Sequence, residues 1–115
     1  MQYLMMLYAE EAGLANVTPD EMQKVMADFN DFTNDVKAKN IYVGSNRLRP
    51  VASATSVRVR DGKTIMTDGP FAETKEQLGG YYLLDCKDLD EAIGYAAKIP
   101  GALWGTVEVR PVWGM

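Results

Sequence analysis

Histidine is absent from this chain of 115 residues, and cysteine occurs once. The missing imidazole excludes Ser-His and Cys-His nucleophile pairs and the usual zinc and haem ligands. The lone cysteine, Cys86, cannot form an intramolecular disulfide, which fits a reducing cytoplasm, and we expect it to be a small buried side chain. We therefore expect neither a cofactor nor a metal site in a cytoplasmic protein.

The chain also lacks an excess of positive charge and a long apolar run. Lysine and arginine number 12 against 16 acidic residues, and the net charge of −4 disfavours nucleic acid or an anionic membrane as a partner. The apolar start at residues 1–11 is too short to span a bilayer and no basic segment precedes it, so it predicts a first strand. With 47% apolar and 24% charged residues, the composition indicates one globular domain over residues 1–115.

Hydrophobic periodicity and capping signals predict two helices and six strands. Thr18-Pro19-Asp20-Glu21 is a capping box with proline at the first helical position, and the helix should run to about Lys39 with Met22 and Met26 in the core. A second helix should begin after Asp88. The predicted strands are residues 2–8, 41–48, 55–60, 63–67, 81–86 and 106–112, with a tight hairpin turn at residues 61–62.

This order of elements predicts an α+β fold of the split β-α-β, or ferredoxin-like, type with an extra β-hairpin. Its sheet should be antiparallel with both helices on one face. Residues 3–8 and 81–84 are apolar on both faces of their strands, and soluble monomers seldom expose such a patch. We therefore expect the second face to pack against a copy of itself in a homodimer that encloses a cavity between two sheets.

The segment TDGPFAETKEQLGG at residues 67–80 permits two interpretations. In the first it is a turn, in which Asp68 accepts backbone N–H bonds, Phe71 anchors the loop on the core, and residues 73–76 form a solvated helical turn. In the second it lies over the cavity mouth, where Asp68 is a catalytic acid or base and Lys75 positions an anionic substrate. The sequence leaves both interpretations open.

All five arginines fall in or beside predicted strands, and an arginine fork suits bidentate capture of carboxylate or phosphate. In the last strand, alternation places Glu108 and Arg110 on the face away from the helices, and Arg58 shares a face of its strand with Arg60. These residues predict either cross-strand pairing or an anion-binding wall. The candidate ligand-binding residues are Gly69, Pro70, Phe71, Glu73, Lys75, Arg58, Glu108 and Arg110.

The segment TDGPFAETKEQLGGYYLLD, with VRVRDGK before it and LDEAIGYAAKIP after it, resembles the DGPF group of the YCII-related proteins over nearly the whole chain. The resemblance implies a dimeric α/β barrel of ferredoxin-like domains. It also implies either a small-molecule enzyme or a protein associated with extracytoplasmic-function sigma factors. A better-studied branch uses a His-Asp dyad, which this chain cannot supply.

Two functions are therefore expected. The first is binding or transformation of a small anionic or planar molecule in the cavity of the homodimer. The second is a noncatalytic interaction module that serves a transcription regulator.

Overall fold

A computed structural model describes residues 1–114 of the chain. Within that range it contains six strands, three α-helices and two short 3-10 turns at residues 51–53 and 100–103. The strands are β1 (Gln2–Ala9), β2 (Tyr42–Arg47), β3 (Thr55–Arg60), β4 (Lys63–Asp68), β5 (Gln77–Asp85) and β6 (Thr106–Pro111). The helices are α1 (Glu11–Leu14), α2 (Pro19–Ala38) and α3 (Leu89–Ala96).

The two predicted helices begin at the predicted caps. The Thr18 hydroxyl accepts a hydrogen bond from the Glu21 backbone N–H at 3.2 Å, and the Asp88 carboxylate accepts one from the Glu91 N–H at 2.9 Å. Each bond satisfies one of the free N–H groups of a first helical turn. Asn40 follows α2 with a φ of 61°, a left-handed conformation in which asparagine commonly ends a helix. The short helix α1 was not predicted.

Four strands form an antiparallel sheet in the order β2-β5-β1-β6. In each β-α-β unit the two strands are separated by a strand from the other unit: β5 lies between β1 and β2, and β1 lies between β5 and β6. This is the split β-α-β connectivity that the sequence predicts. The α+β class and the antiparallel sheet are therefore confirmed.

Helices α2 and α3 cover one face of this sheet. The hydrophobic core lies between these helices and the sheet. Phe32 of α2 meets Tyr82 of β5 edge to face, with ring centroids 5.1 Å apart. The Tyr82 hydroxyl is 2.7 Å from the Thr33 hydroxyl, so its polar end is satisfied. The buried residues of this core are Tyr3, Met5, Phe32, Val36, Tyr82, Leu84, Cys86, Ala92, Ala96 and Ile99.

Two details of the prediction were wrong. Strand β5 begins at Gln77 and not at Tyr81, because its glycine-containing start also pairs with the end of β1. Glycine is unfavourable inside a strand, so strand propensity did not predict that these residues pair with β1. Met26 is 39% exposed, since the buried residues of α2, Phe32 and Val36, lie in the C-terminal half of the helix.

Strands β3 and β4 form a separate two-stranded hairpin, which we call the arm. Asp61 and Gly62 connect its strands with φ values of 53° and 74°, so both turn residues are left-handed as in a type I′ turn. Every residue of β4 is exposed. Within residues 1–114, no helix has the combination of length and apolar character that crossing a bilayer requires.

Candidate functional site

The Asp-Gly-Pro-Phe segment is a turn anchored to the start of β3. Asp68 ends β4 opposite Thr55, and the next residue, Gly69, has a φ of 98° that favours glycine. The Gly69 N–H donates to the Ala54 carbonyl oxygen at 2.7 Å, and the Ser56 hydroxyl donates to the Gly69 carbonyl oxygen at 2.8 Å. Among residues 1–114 no hydrogen bond to the exposed Asp68 carboxylate is found, so backbone bonds make this turn.

One side of the arm carries a cavity of about 350 Å³, which we call the groove. Arg58 lies opposite Ile65 in the arm and shares its face with Arg60, as the sequence predicts. Phe71 lines the groove and remains 80% exposed. The prediction that Phe71 anchors the loop on the core was therefore wrong, because its ring lies on the groove side of the arm and is exposed. The lining residues are Ser56, Arg58, Arg60, Ile65, Thr67, Pro70 and Phe71.

The groove combines positive charge with an apolar surface. Two guanidinium groups, from Arg58 and Arg60, line it. In the part of the chain that the structure describes, neither forms a salt bridge with a carboxylate. Asp68 lies on the opposite face of the arm, because its partner Thr55 alternates with Ser56. The groove can therefore accept an anion without first breaking an ion pair.

Residues 73–76 do not form the predicted helical turn: residues 73–74 are irregular, and residues 75–76 form a bend that leads into β5. Glu73 is exposed, and the Lys75 ammonium lies 3.7 Å from the Glu10 carboxylate at the end of β1. The Glu76 carboxylate accepts a hydrogen bond from the Thr106 hydroxyl at 2.8 Å. These contacts fasten the loop to the end of the sheet, which explains why the segment is extended.

The face of the four-stranded sheet away from the helices has a half-buried apolar centre, which we call the open face. Leu4 pairs with Leu83 and Met6 pairs with Tyr81, so their side chains are neighbours. The Tyr81 hydroxyl accepts a hydrogen bond from the Asn46 amide at 2.8 Å. The apolar centre of the open face consists of Leu4, Met6, Tyr81 and Leu83.

Glu108 and Arg110 also belong to the open face, as predicted. Glu108 lies beside Met6, and Arg110 lies beside Leu4. The Arg110 guanidinium forms a salt bridge with the Glu108 carboxylate of the same strand. The predicted pairing of Glu108 with an arginine is thus observed within β6 and not across strands.

The predicted site residues consequently fall in separate places within one chain. Arg58, Pro70 and Phe71 come together in the groove, whereas Glu108 and Arg110 lie on the open face. Within residues 1–114, no group of three or more His, Cys, Asp or Glu side chains is arranged to hold a metal ion. The groove therefore brings together three of the eight predicted ligand-binding residues.

Cys86 is not an activated nucleophile. Its side chain is 1% exposed, as predicted, and burial raises the pKa of its thiol, with the Glu91 carboxylate acting in the same direction. Burial likewise raises the pKa of the Tyr82 hydroxyl. Both groups face the helices and stay protonated at neutral pH.

Sequence reasoning missed three groove residues, Ser56, Ile65 and Thr67. The signal was present, because a two-residue Asp-Gly turn fixes the register of the hairpin. That register places Arg58 opposite Ile65 and Ser56 opposite Thr67. If the alternation of side chains in β3 is continued across the turn into β4, it predicts which residues share the groove side of the arm.

The chain is similar over its length to known proteins. The sequence model of the YCII-related domain matches residues 1–115. The chain belongs to the YCII-related domain family. This YCII-related protein is also 39% identical over 118 residues to the uncharacterized protein R00369 of Rhizobium meliloti (strain 1021), covering 97% of this chain and 92% of that relative.

Proposed function

We propose that this YCII-related protein is a homodimer that binds a small molecule with an anionic group and a planar or apolar part. The observation that carries the proposal is the groove, which joins two arginines to Pro70 and Phe71. The groove has a volume of about 350 Å³ and is open to solvent, since six of its seven lining residues are exposed. Arginine forks bind carboxylate or phosphate in a bidentate manner, and an aromatic ring offers a face for stacking.

The open face supports the homodimer. Its apolar centre lies on the adjacent strands β1 and β5, and its four side chains are only partly buried within one chain. A second copy of the chain packed on this face would remove the apolar centre from water and, as in a dimeric barrel, enclose a space between the two chains. Arg110 and Glu108 would then lie beside the enclosed space and extend the polar surface available to a ligand.

Binding is proposed ahead of catalysis. Asp68 was predicted as the catalytic acid or base, but within one chain it lies across the arm from the groove arginines. Its role stays a prediction. An Asp68→Asn variant that keeps ligand affinity but loses turnover of the bound compound would assign it to proton transfer.

Calorimetric titration with phenyl phosphate, benzoate and inorganic phosphate tests the proposal. Phenyl phosphate should bind more tightly than inorganic phosphate, because Phe71 and Ile65 contribute only to the aromatic ligand. Arg58→Ala should weaken binding by about tenfold or more, and Arg58→Lys should recover only part of the loss because lysine lacks the fork. Lys24→Ala, an exposed cation on α2, is the matched control. Equal losses in Arg58→Ala and Lys24→Ala would contradict a specific site.

A noncatalytic interaction module is the second candidate. It is favoured by Leu103 and Trp113, which are 85% and 95% exposed and lie outside both the groove and the apolar centre of the open face. A transcription regulator is the partner that this candidate requires. Affinity purification of the tagged chain from its own cells should then recover such a regulator in a stoichiometric amount. Recovery of the homodimer alone would count against it.

A further inference from the structure

The arm lacks support from its own chain. Val57, Val59 and Met66 are 59%, 59% and 73% exposed. Cross-strand pairing of Val57 with Met66 places all three on the face opposite the groove, which we call the arm face. An isolated two-stranded hairpin is only marginally stable in water. An arm of defined geometry therefore requires a surface on which the arm face can pack.

The excess accessible surface of the chain is large enough to be buried against a second copy of the chain. The accessible surface of 8305 Å² exceeds by about 2,000 Å² that of a compact monomer of 12.7 kDa. The radius of gyration is 16.1 Å, where a compact chain of this length has about 13 Å. Two chains that lose this excess would bury about 4,000 Å², which is within the range of obligate homodimers.

The open face is the complementary surface. It presents a contiguous apolar centre in which Leu4 adjoins Leu83 and Met6 adjoins Tyr81. The arm cannot cover the open face of its own chain, since the arm face is exposed. In a two-fold dimer each chain supplies one arm face and one open face, so both exposed apolar surfaces can be covered.

We propose that the two protomers exchange arms, so that Val57, Val59 and Met66 of each pack on the open face of the other. This inference rests on the homodimer of the proposed function and adds a reason for it. The groove is built on the side of the arm opposite the arm face. All residues that line the groove come from one chain, and docking the arm on the partner would hold them in a fixed position.

Cysteine crosslinking tests which surfaces meet. On a Cys86→Ala background, the chain offers no other thiol. A short bis-maleimide should crosslink a mixture of Met66→Cys and Leu83→Cys chains into a mixed dimer. Replacing Leu83→Cys by Ile93→Cys, an exposed position of α3 on the helix side, should abolish the mixed product. Leu4→Cys replaces Leu83→Cys if circular dichroism shows that the latter does not fold. Crosslinks between two Leu83→Cys chains, with none to Met66→Cys, would overturn the exchange.

Two adjacent residues of β4 provide the decisive comparison, because Ile65 lies in the groove and Met66 lies on the arm face. Met66→Asp should raise the dimer dissociation constant by about tenfold or more in sedimentation equilibrium. Ile65→Asp should leave that constant unchanged and weaken phenyl phosphate binding. The reverse pattern, or a wild-type chain that sediments as a monomer, would overturn the arm exchange. A stable dimer with no affinity for phenyl phosphate would instead contradict the proposed function and leave the exchange intact.

Discussion

The four-stranded sheet and the arm have the same alternating strand pattern but opposite environments. In the sheet, Met5 and Leu84 are fully buried beneath α2 and α3. In the arm, Val57 and Met66 lie directly opposite each other and remain more than half exposed. Alternation therefore tells which residues share a face, but a second layer decides whether that face becomes a core.

The largest expected difference between the two regions concerns apolar side chains. Leu84→Ala should lower the free energy of unfolding by about 2–5 kcal/mol, because it opens a cavity in the core. Met66→Ala should cost less than about 0.5 kcal/mol in the dissociated chain, where the side chain is exposed. Urea titration at several protein concentrations measures both values. Under arm exchange the cost of Met66→Ala rises with concentration, whereas a concentration-independent cost would show that Met66 does not pack on a partner.

Glycines distinguish the two regions by a different mechanism. Gly80 in β5 leaves no space, since a Cβ atom there would lie 2.9 Å from the Asn46 carbonyl oxygen, and Gly80→Ala should cost about 1–3 kcal/mol. Gly62 in the arm has open space but a φ of 74°, so Gly62→Ala should cost about 1 kcal/mol. Gly62→Asn should recover much of that loss, because asparagine tolerates left-handed backbone. Thermal unfolding of the three variants checks the order, and equal costs for Gly62→Ala and Gly62→Asn would argue against backbone strain.

Alkaline pH should lower the free energy of unfolding through two buried groups next to the four-stranded sheet, Cys86 and Tyr82. Burial holds the pKa of the Cys86 thiol above its ordinary value of 9.0, so the unfolded chain releases this proton at lower pH than the folded chain. The corresponding stability is fully present below about pH 9 and is lost as pH rises through the folded pKa. Cys86→Ala should flatten the pH dependence of the free energy of unfolding in this range. A decline at higher pH should persist, because burial also raises the pKa of Tyr82 above 10.0.

The smallest effect is expected for the exposed ion pair on β6. Arg110→Ala should change the free energy of unfolding by less than about 0.5 kcal/mol, because the pair with Glu108 is largely solvated. Chemical denaturation measures this value, and Glu108→Gln is its control. A loss of ligand affinity in a variant of unchanged stability would then assign Arg110 to binding. A destabilisation above 1.4 kcal/mol, a factor of about ten, would contradict the solvated pair.

Local signals in the sequence predicted the regular elements well. Thr18 and Asp88 cap their helices, and Asp61 and Gly62 adopt the left-handed turn, because each signal acts over three or four residues. The start of β5 was missed at Gly80, where pairing with Leu7 outweighs local preference. The sequence also could not show that the arm leaves the sheet, because strand pairing depends on long-range contacts.

The candidate site was predicted less completely than the fold. Sequence reasoning selected Arg58 and Phe71, and the structure brings both into the groove. It also placed Asp68 with them, although a single step of alternation puts that carboxylate on the other face of the arm. Sequence proximity within the loop was therefore a poorer guide to the site than strand parity.

The exposed arm also bears on the lifetime of the newly made chain. Arg58, Arg60 and Lys63 are three exposed cleavage positions for a trypsin-like protease on a hairpin that its own chain does not support. Proteolysis of such a segment follows the population of its open form. An unpaired protomer should be nicked at the arm before its core is attacked, whereas a paired one is protected. Degradation would then remove surplus protomers and spare completed assemblies.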